Sequence, residues 1–135
     1  MSEGCNEHPG VLIVDDEPII ADLVRRCFQS AGYPAWSAIG GKEAVTVVRE
    51  NPGRVGVLLL DVQMPELDGP ATLAAIRELL PSVRCYFMSG DLGRYSEQDL
   101  FDLGARGLFL KPFRCQDLLT VFDLRERSRP PQVET

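Results

Sequence analysis

Four short apolar runs of the chain end in polar residues, five in all, and the types of these residues suit the chemistry of phosphate groups. In chain order they are Asp15, Asp16, Asp61, Ser89 and Lys111. A carboxylate oxygen can attack phosphorus to give an aspartyl phosphate, and a lysine ammonium can neutralise the phosphoryl oxygens. Three carboxylates held close together repel one another unless a cation intervenes, and oxygen ligands of this kind favour Mg²⁺. These residue types therefore indicate magnesium-assisted phosphoryl transfer, provided that the fold brings them together.

The run that ends at Asp61 is the central element of the predicted fold. Val57–Leu60 is continuously apolar, with neither a helical stripe nor alternation, which is typical of a strand buried on both faces. Pro65 and the pair Asp68-Gly69 then turn the chain. Asp61 is therefore expected at the carboxyl end of a central strand, where open α/β sheets bind ligands.

Apolar strand patterns alternate with helical patterns along the whole chain. Five strands and five helices are predicted, a (βα)5 arrangement of the α/β class, with the last helix running from about Cys115 to Arg125. Such alternation predicts a doubly wound parallel sheet with helices on both faces, joined by right-handed crossovers. All carboxyl ends of a parallel sheet lie at one edge, so the five polar residues are expected in one cleft. Periodicity alone does not predict the order of the strands.

Length and composition favour a single globular domain. The chain has 135 residues, of which 44% are hydrophobic, so there is room for one core and not for two. We expect residues 1–10 to be a flexible lead-in, residues 11–127 to form the domain, and residues 128–135, which include paired prolines, to be a disordered tail.

Charge and hydropathy exclude several classes of partner. The formal net charge of -6 argues against direct binding of nucleic acid, which needs a basic face. No apolar run approaches the roughly 20 residues of a membrane span. The N-terminal residues lack the basic start and apolar core of a signal peptide, so a cytoplasmic location is expected.

The cysteines and the single histidine offer little chemistry by themselves. Cys5, Cys27, Cys85 and Cys115 are too scattered for a zinc pattern, and free thiols are expected in a chain without a signal peptide. His8 lies in the polar lead-in, and nothing in the sequence supports a Ser-His-Asp triad built on it.

Four motifs, in a fixed order, resemble those of the receiver domain of two-component response regulators. They are VDDEP at Val14–Pro18, DVQMPELDG at Asp61–Gly69, Ser89-Gly90, and KPF at Lys111–Phe113. The resemblance covers about Val11 to Arg125. It implies the flavodoxin-like receiver fold, a five-stranded parallel sheet in the order 2-1-3-4-5.

The resemblance also implies a role for each site residue. Asp61 is expected to be the phosphoacceptor, and Asp15 and Asp16 to bind Mg²⁺ together with Asp61 and the backbone carbonyl of Gln63. Ser89 resembles the switch hydroxyl, and Lys111 the lysine that contacts a phosphoryl oxygen. Such a domain catalyses its own phosphorylation and slow dephosphorylation and is not a turnover enzyme.

Two features qualify the resemblance. The family often carries an aromatic switch residue three positions before the lysine, but that position is Leu108 here, and the adjacent Phe109 should face the other side of the strand. A switch based on aromatic rotation is therefore not expected. Gln63 and Asp91 lie two residues beyond Asp61 and Ser89, and we expect them to set the lifetime of the phosphoryl group.

The resemblance implies phosphorylation of Asp61 by a histidine kinase or a histidine phosphotransfer protein. With no output domain in this sequence, the signal would leave through a downstream protein bound around the fourth and fifth helices and the fifth strand, by a monomer or a phosphorylation-dependent dimer. Two other functions are alternatives. A Mg²⁺ phosphohydrolase of the haloacid-dehalogenase type would need an aspartate where Gln63 stands. A receiver-like scaffold that is never phosphorylated would not need a complete set of site residues.

Overall fold

The computed structural model describes residues 8–127, which form one five-stranded sheet with helices on both faces. Every strand pair is parallel, and the order is β2-β1-β3-β4-β5, as the resemblance implies. The strands are β1 (Gly10–Val14), β2 (Ala35–Ala38), β3 (Val55–Asp61), β4 (Arg84–Ser89) and β5 (Gly107–Leu110). The predicted α/β class and the doubly wound topology are confirmed.

Five α-helices alternate with the five strands, as predicted. They are α1 (Pro18–Ser30), α2 (Gly41–Glu50), α3 (Gly69–Leu79), α4 (Glu97–Asp102) and α5 (Cys115–Phe122). The chain does not stay α-helical to Arg125, because a π-helical segment, Asp123–Arg127, follows α5. In this segment Glu126 is buried against side chains of β4, a long-range contact that helical periodicity cannot reveal.

The core consists of two apolar layers separated by the sheet. Val57–Leu60 of β3 is fully buried, with alternate side chains directed to opposite layers. Leu58 and Leu60 pack in the layer that contains Leu73 of α3. Val57 and Leu59 pack in the layer that contains Phe122 of α5. Burial on both faces is what holds β3, and the Asp61 that ends it, rigidly at the centre of the sheet.

The expectation that all cysteines are free thiols is wrong for two of them. Cys27 of α1 and Cys115, the first residue of α5, are joined by a disulfide with their Cα atoms 6.0 Å apart. They are 88 positions apart in the sequence, and only the packing of α1 against α5 brings them within the range that a disulfide requires. Cys85 is a buried free thiol, and Cys5 lies outside the described residues.

The predicted boundaries of the domain lie close to the limits of the described chain. Gly10 is already the first residue of β1, and most of the expected lead-in, residues 1–7, lies outside the described residues. The expected tail, residues 128–135, lies outside them entirely. Within residues 8–127, none of the helices has the length and apolar character needed to cross a bilayer.

Candidate functional site

The three predicted carboxylates converge at the carboxyl edge of the sheet. Asp15 comes directly after β1, and Asp61 is the last residue of β3. Because Val14 pairs with Leu60 in the parallel ladder, these two carboxylates are aligned side by side. One oxygen from each of Asp15, Asp16 and Asp61 lies within 4.8 Å of the others. Asp15 and Asp61 are buried whereas Asp16 is exposed, so the cluster opens to solvent on one side.

Lys111 brings the matching positive charge into the same pocket. Its Nζ donates a hydrogen bond to Asp15 Oδ2 at 2.7 Å and lies 3.6 Å from Asp61 Oδ2. The backbone N–H of Lys111 donates to the carbonyl of Ser89 at 2.8 Å, which ties the ends of β4 and β5 together. The predicted convergence of acids and ammonium is confirmed.

The electrostatics of the pocket oppose full ionisation of Asp61. Burial, reinforced by the negative charge of Asp15, raises the pKa of Asp61 from 3.8 to about 7, although Lys111 acts in the opposite direction. Burial alone would lower the pKa of Lys111, but its hydrogen bond to Asp15 and the charge of that carboxylate outweigh burial and raise it. The ammonium therefore stays charged, and it only partly compensates three carboxylates.

This arrangement predicts a pH-dependent cost in stability. The pKa of the Asp61 carboxyl is about 7 in the folded chain, against an ordinary value of 3.8. Since the folded state binds the proton more tightly than the unfolded state, the stability of the folded chain falls as the pH rises from 3.8 to about 7. Without divalent ions at pH 8, we expect Asp61→Asn to be more stable than wild type by about 2 kcal/mol, allowing for screening, and by about half as much at pH 5.5. Urea unfolding of the two proteins in EDTA measures the difference in their free energy of unfolding at each pH.

Asp91→Asn is a suitable control for this experiment, since it removes an exposed carboxylate at the same edge of the sheet. Its stability should differ from wild type by less than about 0.5 kcal/mol at either pH. An Asp61→Asn variant that is less stable than wild type at pH 8 would show that ionised Asp61 is not under electrostatic stress.

The donor set fits a hard divalent cation. Three carboxylate oxygens within 4.8 Å of one another, open to water on the Asp16 side, match the preference of Mg²⁺ for a few carboxylates and retained waters. Burial is the main cause of the raised pKa of Asp61, and a cation there would relieve the repulsion by Asp15 and Asp16 that adds to it. Asp15, Asp16 and Asp61 would hold the ion, and the backbone carbonyl of Gln63 as a further ligand stays a prediction.

The predicted switch hydroxyl is engaged with the loop that follows β4. Ser89 Oγ donates to the carbonyl of Asp91 at 2.6 Å and accepts from the N–H of Asp91 at 2.9 Å. Gln63 Nε2 donates to the same carbonyl of Asp91 at 2.7 Å. Gln63 and Asp91, singled out from their positions in the sequence, are thus in direct contact across the mouth of the site.

A second hydrogen bond between the loop after β3 and the loop after β4 could not be predicted from the sequence. Asp68 Oδ1 accepts from the N–H of Ala71 and so caps α3, while Asp68 Oδ2 accepts from Tyr95 Oη at 2.8 Å. The capping role is readable from an aspartate placed before an apolar helix, but the partner Tyr95 lies 27 positions away.

Any side chain at Gly69 would collide with the backbone carbonyl of Asp61, since an added Cβ would lie 2.4 Å from that oxygen. Glycine therefore allows α3 to begin directly behind the carboxylate.

Leu108 and Phe109 face opposite sides of the sheet, as predicted. Leu108 packs on the layer that contains Leu92 and Tyr95, and Phe109 on the layer that contains Phe122. The side chain of Phe109 stacks on Tyr86, with ring centroids 6.0 Å apart. No aromatic side chain of β5 is therefore available on the face where Leu108 lies.

Comparison with known proteins agrees with the fold. The model of the response regulator receiver domain family matches residues 11–123. The chain is 34% identical over 111 residues, 82% of its length, to the sensor kinase CckA of Brucella abortus, of which it spans 12%. It is 30% identical over 112 residues to the sporulation initiation phosphotransferase F of Bacillus subtilis, covering 80% of this chain and 86% of that protein.

Solved structures give the same result. The chemotaxis protein CheY4 of Vibrio cholerae superimposes with a TM-score of 0.77 at 28% identity, covering 87% of this chain and 98% of that one. The chain spans about half the length of several curated regulatory proteins that it also matches. The family match over most of the chain, together with the sheet order and the clustered acids, shows that this chain belongs to the response regulator receiver domain family.

Proposed function

We propose that the protein is a phosphoacceptor of a two-component or phosphorelay system, in which Asp61 accepts a phosphoryl group in the presence of Mg²⁺. The donor would be a phosphohistidine of a histidine kinase or a histidine phosphotransfer protein. One observation carries the proposal: the carboxylate of Asp61 is buried beside two further acids and within 3.6 Å of the Lys111 ammonium. An isolated surface carboxylate would have neither the cation site nor the ammonium.

Each residue of the pocket has a task in such a transfer. A carboxylate oxygen of Asp61 attacks phosphorus and displaces the donor nitrogen, so that an acyl phosphate forms. Bound Mg²⁺ would neutralise charge on the phosphoryl oxygens. Asp15 holds Lys111 through the 2.7 Å hydrogen bond, so that the ammonium is already oriented towards Asp61 before the donor arrives. Ser89 would exchange its bond to the carbonyl of Asp91 for one to the new phosphoryl group.

We propose that the domain catalyses only its own phosphorylation and slow hydrolysis, in the cytoplasm, and passes the signal to a protein. The face formed by α4, β5 and α5 is the proposed docking surface for that protein. Three large apolar side chains are exposed on α4, just after it, and on β5: Phe101 (43%), Leu103 (38%) and Leu110 (58%). Exposed apolar side chains of this kind suit a protein partner. The chain would act as a monomer or as a phosphorylation-dependent dimer.

The hydrogen bond between Gln63 and Asp91 is expected to influence how long the phosphoryl group stays on Asp61. We expect Gln63→Ala to shorten it several-fold, because the amide that holds the Asp91 carbonyl over the site is lost and water gains access. Loss of phosphoryl from the purified phosphoprotein, followed by intact mass, measures the rate. Gln98→Ala, on the exposed surface of α4, is the control and should retain the wild-type lifetime. An unchanged lifetime in Gln63→Ala would refute this role.

Intact mass spectrometry tests the proposed function. The protein is incubated with acetyl phosphate and Mg²⁺, beside Asp61→Asn and beside a sample in EDTA. We expect one acid-labile phosphoryl adduct in the wild-type protein with Mg²⁺, and none in the other two samples. Continuous release of phosphate from unrelated esters would instead indicate a phosphohydrolase. Absence of any adduct with every donor would indicate a scaffold that is not phosphorylated.

A further inference from the structure

The disulfide between Cys27 and Cys115 joins the two segments that flank one side of the phosphoacceptor site. Cys27 lies on α1, the helix that follows Asp15 and Asp16, and Cys115 begins α5, four residues after Lys111. None of the roles proposed above requires a covalent bond between these segments.

An apolar cleft of about 370 Å³ lies between the same two segments. One wall is α1, with Ile20, Leu23 and Val24, and the other is the segment after β5, with Lys111, Pro112 and Phe113. Cys27 is one helical turn beyond Val24 and Cys115 is two residues beyond Phe113, so the disulfide links the two walls just past the lining residues. The bond therefore limits how far the walls can separate.

The two cysteines of the disulfide differ in their exposure to solvent. Cys115 is exposed, whereas Cys27 is only 7% exposed. A small thiol can therefore attack at Cys115, while Cys27 is shielded by the core. In the cytoplasm, the location proposed above, accessible disulfides are usually transient and redox-sensing rather than permanent.

We propose that Cys27 and Cys115 form a reversible redox site, which exchanges with small thiols and disulfides such as the glutathione couple and clamps the walls of the cleft together when oxidised. In the oxidising direction the Cys115 thiolate attacks glutathione disulfide and releases one glutathione as thiolate. The Cys27 thiolate then attacks the mixed disulfide at Cys115 and releases the second glutathione. The two protein thiols lose two electrons and two protons, and one glutathione disulfide is reduced to two molecules of glutathione. Reduction follows the same steps in reverse.

Cys85 provides an internal comparison. Its side chain is fully buried in β4, and burial raises the pKa of its thiol well above the ordinary value. The folded protein should therefore keep Cys85 unreactive under conditions in which Cys115 exchanges.

A redox titration tests the exchange. The full chain carrying Cys5→Ser is equilibrated with glutathione and glutathione disulfide in a wide range of ratios, then alkylated and digested for mass spectrometry. Alkylation is carried out on the folded protein. As the buffer becomes more reducing, we expect the disulfide-linked peptide of Cys27 and Cys115 to disappear and the exposed Cys115 to become alkylated, with a midpoint inside the range and with Cys85 unlabelled throughout. A pair that stays bonded at every ratio, or is never bonded at any, would overturn the proposal.

Hydrogen exchange tests the clamp. Reduction should speed amide exchange in residues 111–117 by about tenfold and lower Tm by about 10 °C. The variant Cys115→Ser, which removes an exposed thiol without opening a cavity, should match the reduced protein in every buffer. Equal exchange in oxidised and reduced protein would overturn the clamp even if the titration succeeded. None of these readouts involves phosphorylation of Asp61, so failure here and failure of the proposed function are separable.

Discussion

Lys111→Ala is expected to slow the phosphorylation of Asp61 by acetyl phosphate by about 100-fold or more. The ammonium lies 3.6 Å from Asp61 Oδ2 and is oriented by its 2.7 Å hydrogen bond to Asp15. The negative charge on the phosphoryl group in transfer would lose its preorganised partner in the variant. Initial rates of adduct formation, followed by intact mass in saturating Mg²⁺, give the ratio directly.

The chain contains two lysines, which makes the control simple. Lys42, on α2, pairs with Glu66 at 3.6 Å on an exposed surface, and Lys42→Ala should be phosphorylated at the wild-type rate. Lys111→Arg keeps the charge but replaces a compact ammonium by a larger planar group, so only partial activity is expected. If Lys111→Ala reacts as fast as Lys42→Ala, the ammonium has no part in the transfer.

The largest loss of stability is expected from Glu126→Ala, at about 3–5 kcal/mol. Glu126 is buried in the π-helical segment, where its carboxylate accepts hydrogen bonds from Arg84 at 2.5 Å and from Tyr86 Oη at 2.6 Å. Arg106 lies 3.4 Å from the same group. The substitution would leave the Tyr86 hydroxyl, the half-buried Arg84 and the exposed Arg106 without their acceptor.

Urea unfolding at pH 7 measures this effect, with Glu78→Ala on the exposed side of α3 as the control. The control should change the free energy of unfolding by less than about 0.5 kcal/mol. Tyr86→Phe should cost less than Glu126→Ala, because Arg84 and Arg106 still compensate the carboxylate. A Glu126→Ala variant as stable as the control would show that the segment after α5 is not anchored to the sheet.

Glu126 lies beyond residues 11–123, the part that matches the family model, and no local pattern singles it out. A glutamate in a charged helix end is usually solvated, and its burial depends on where Arg84 and Tyr86 lie in the fold. The Cys27–Cys115 bond and the contact between Tyr95 and Asp68 are of the same kind. These are pairings between distant segments, which local patterns do not contain.

The pocket around Asp61 was predictable for the opposite reason. Each of its residues ends a strand pattern that is readable locally, and a parallel sheet places all such ends at one edge. No pairwise contact had to be guessed to bring Asp15, Asp61 and Lys111 together. The finer geometry was not predictable, including the engagement of Ser89 with the backbone of Asp91 and the contact of that residue with Gln63.

The position of the phosphoryl group on the chain is the most direct test of the account. The phosphorylated protein is reduced with borohydride, which converts an aspartyl phosphate to homoserine, and is then digested and sequenced by mass spectrometry. We predict conversion at Asp61 alone, dependent on Mg²⁺ and absent from protein that was not phosphorylated. Conversion at Asp15 or Asp16, or at no aspartate of a protein that carries the adduct, would contradict the assignment of Asp61 as the acceptor.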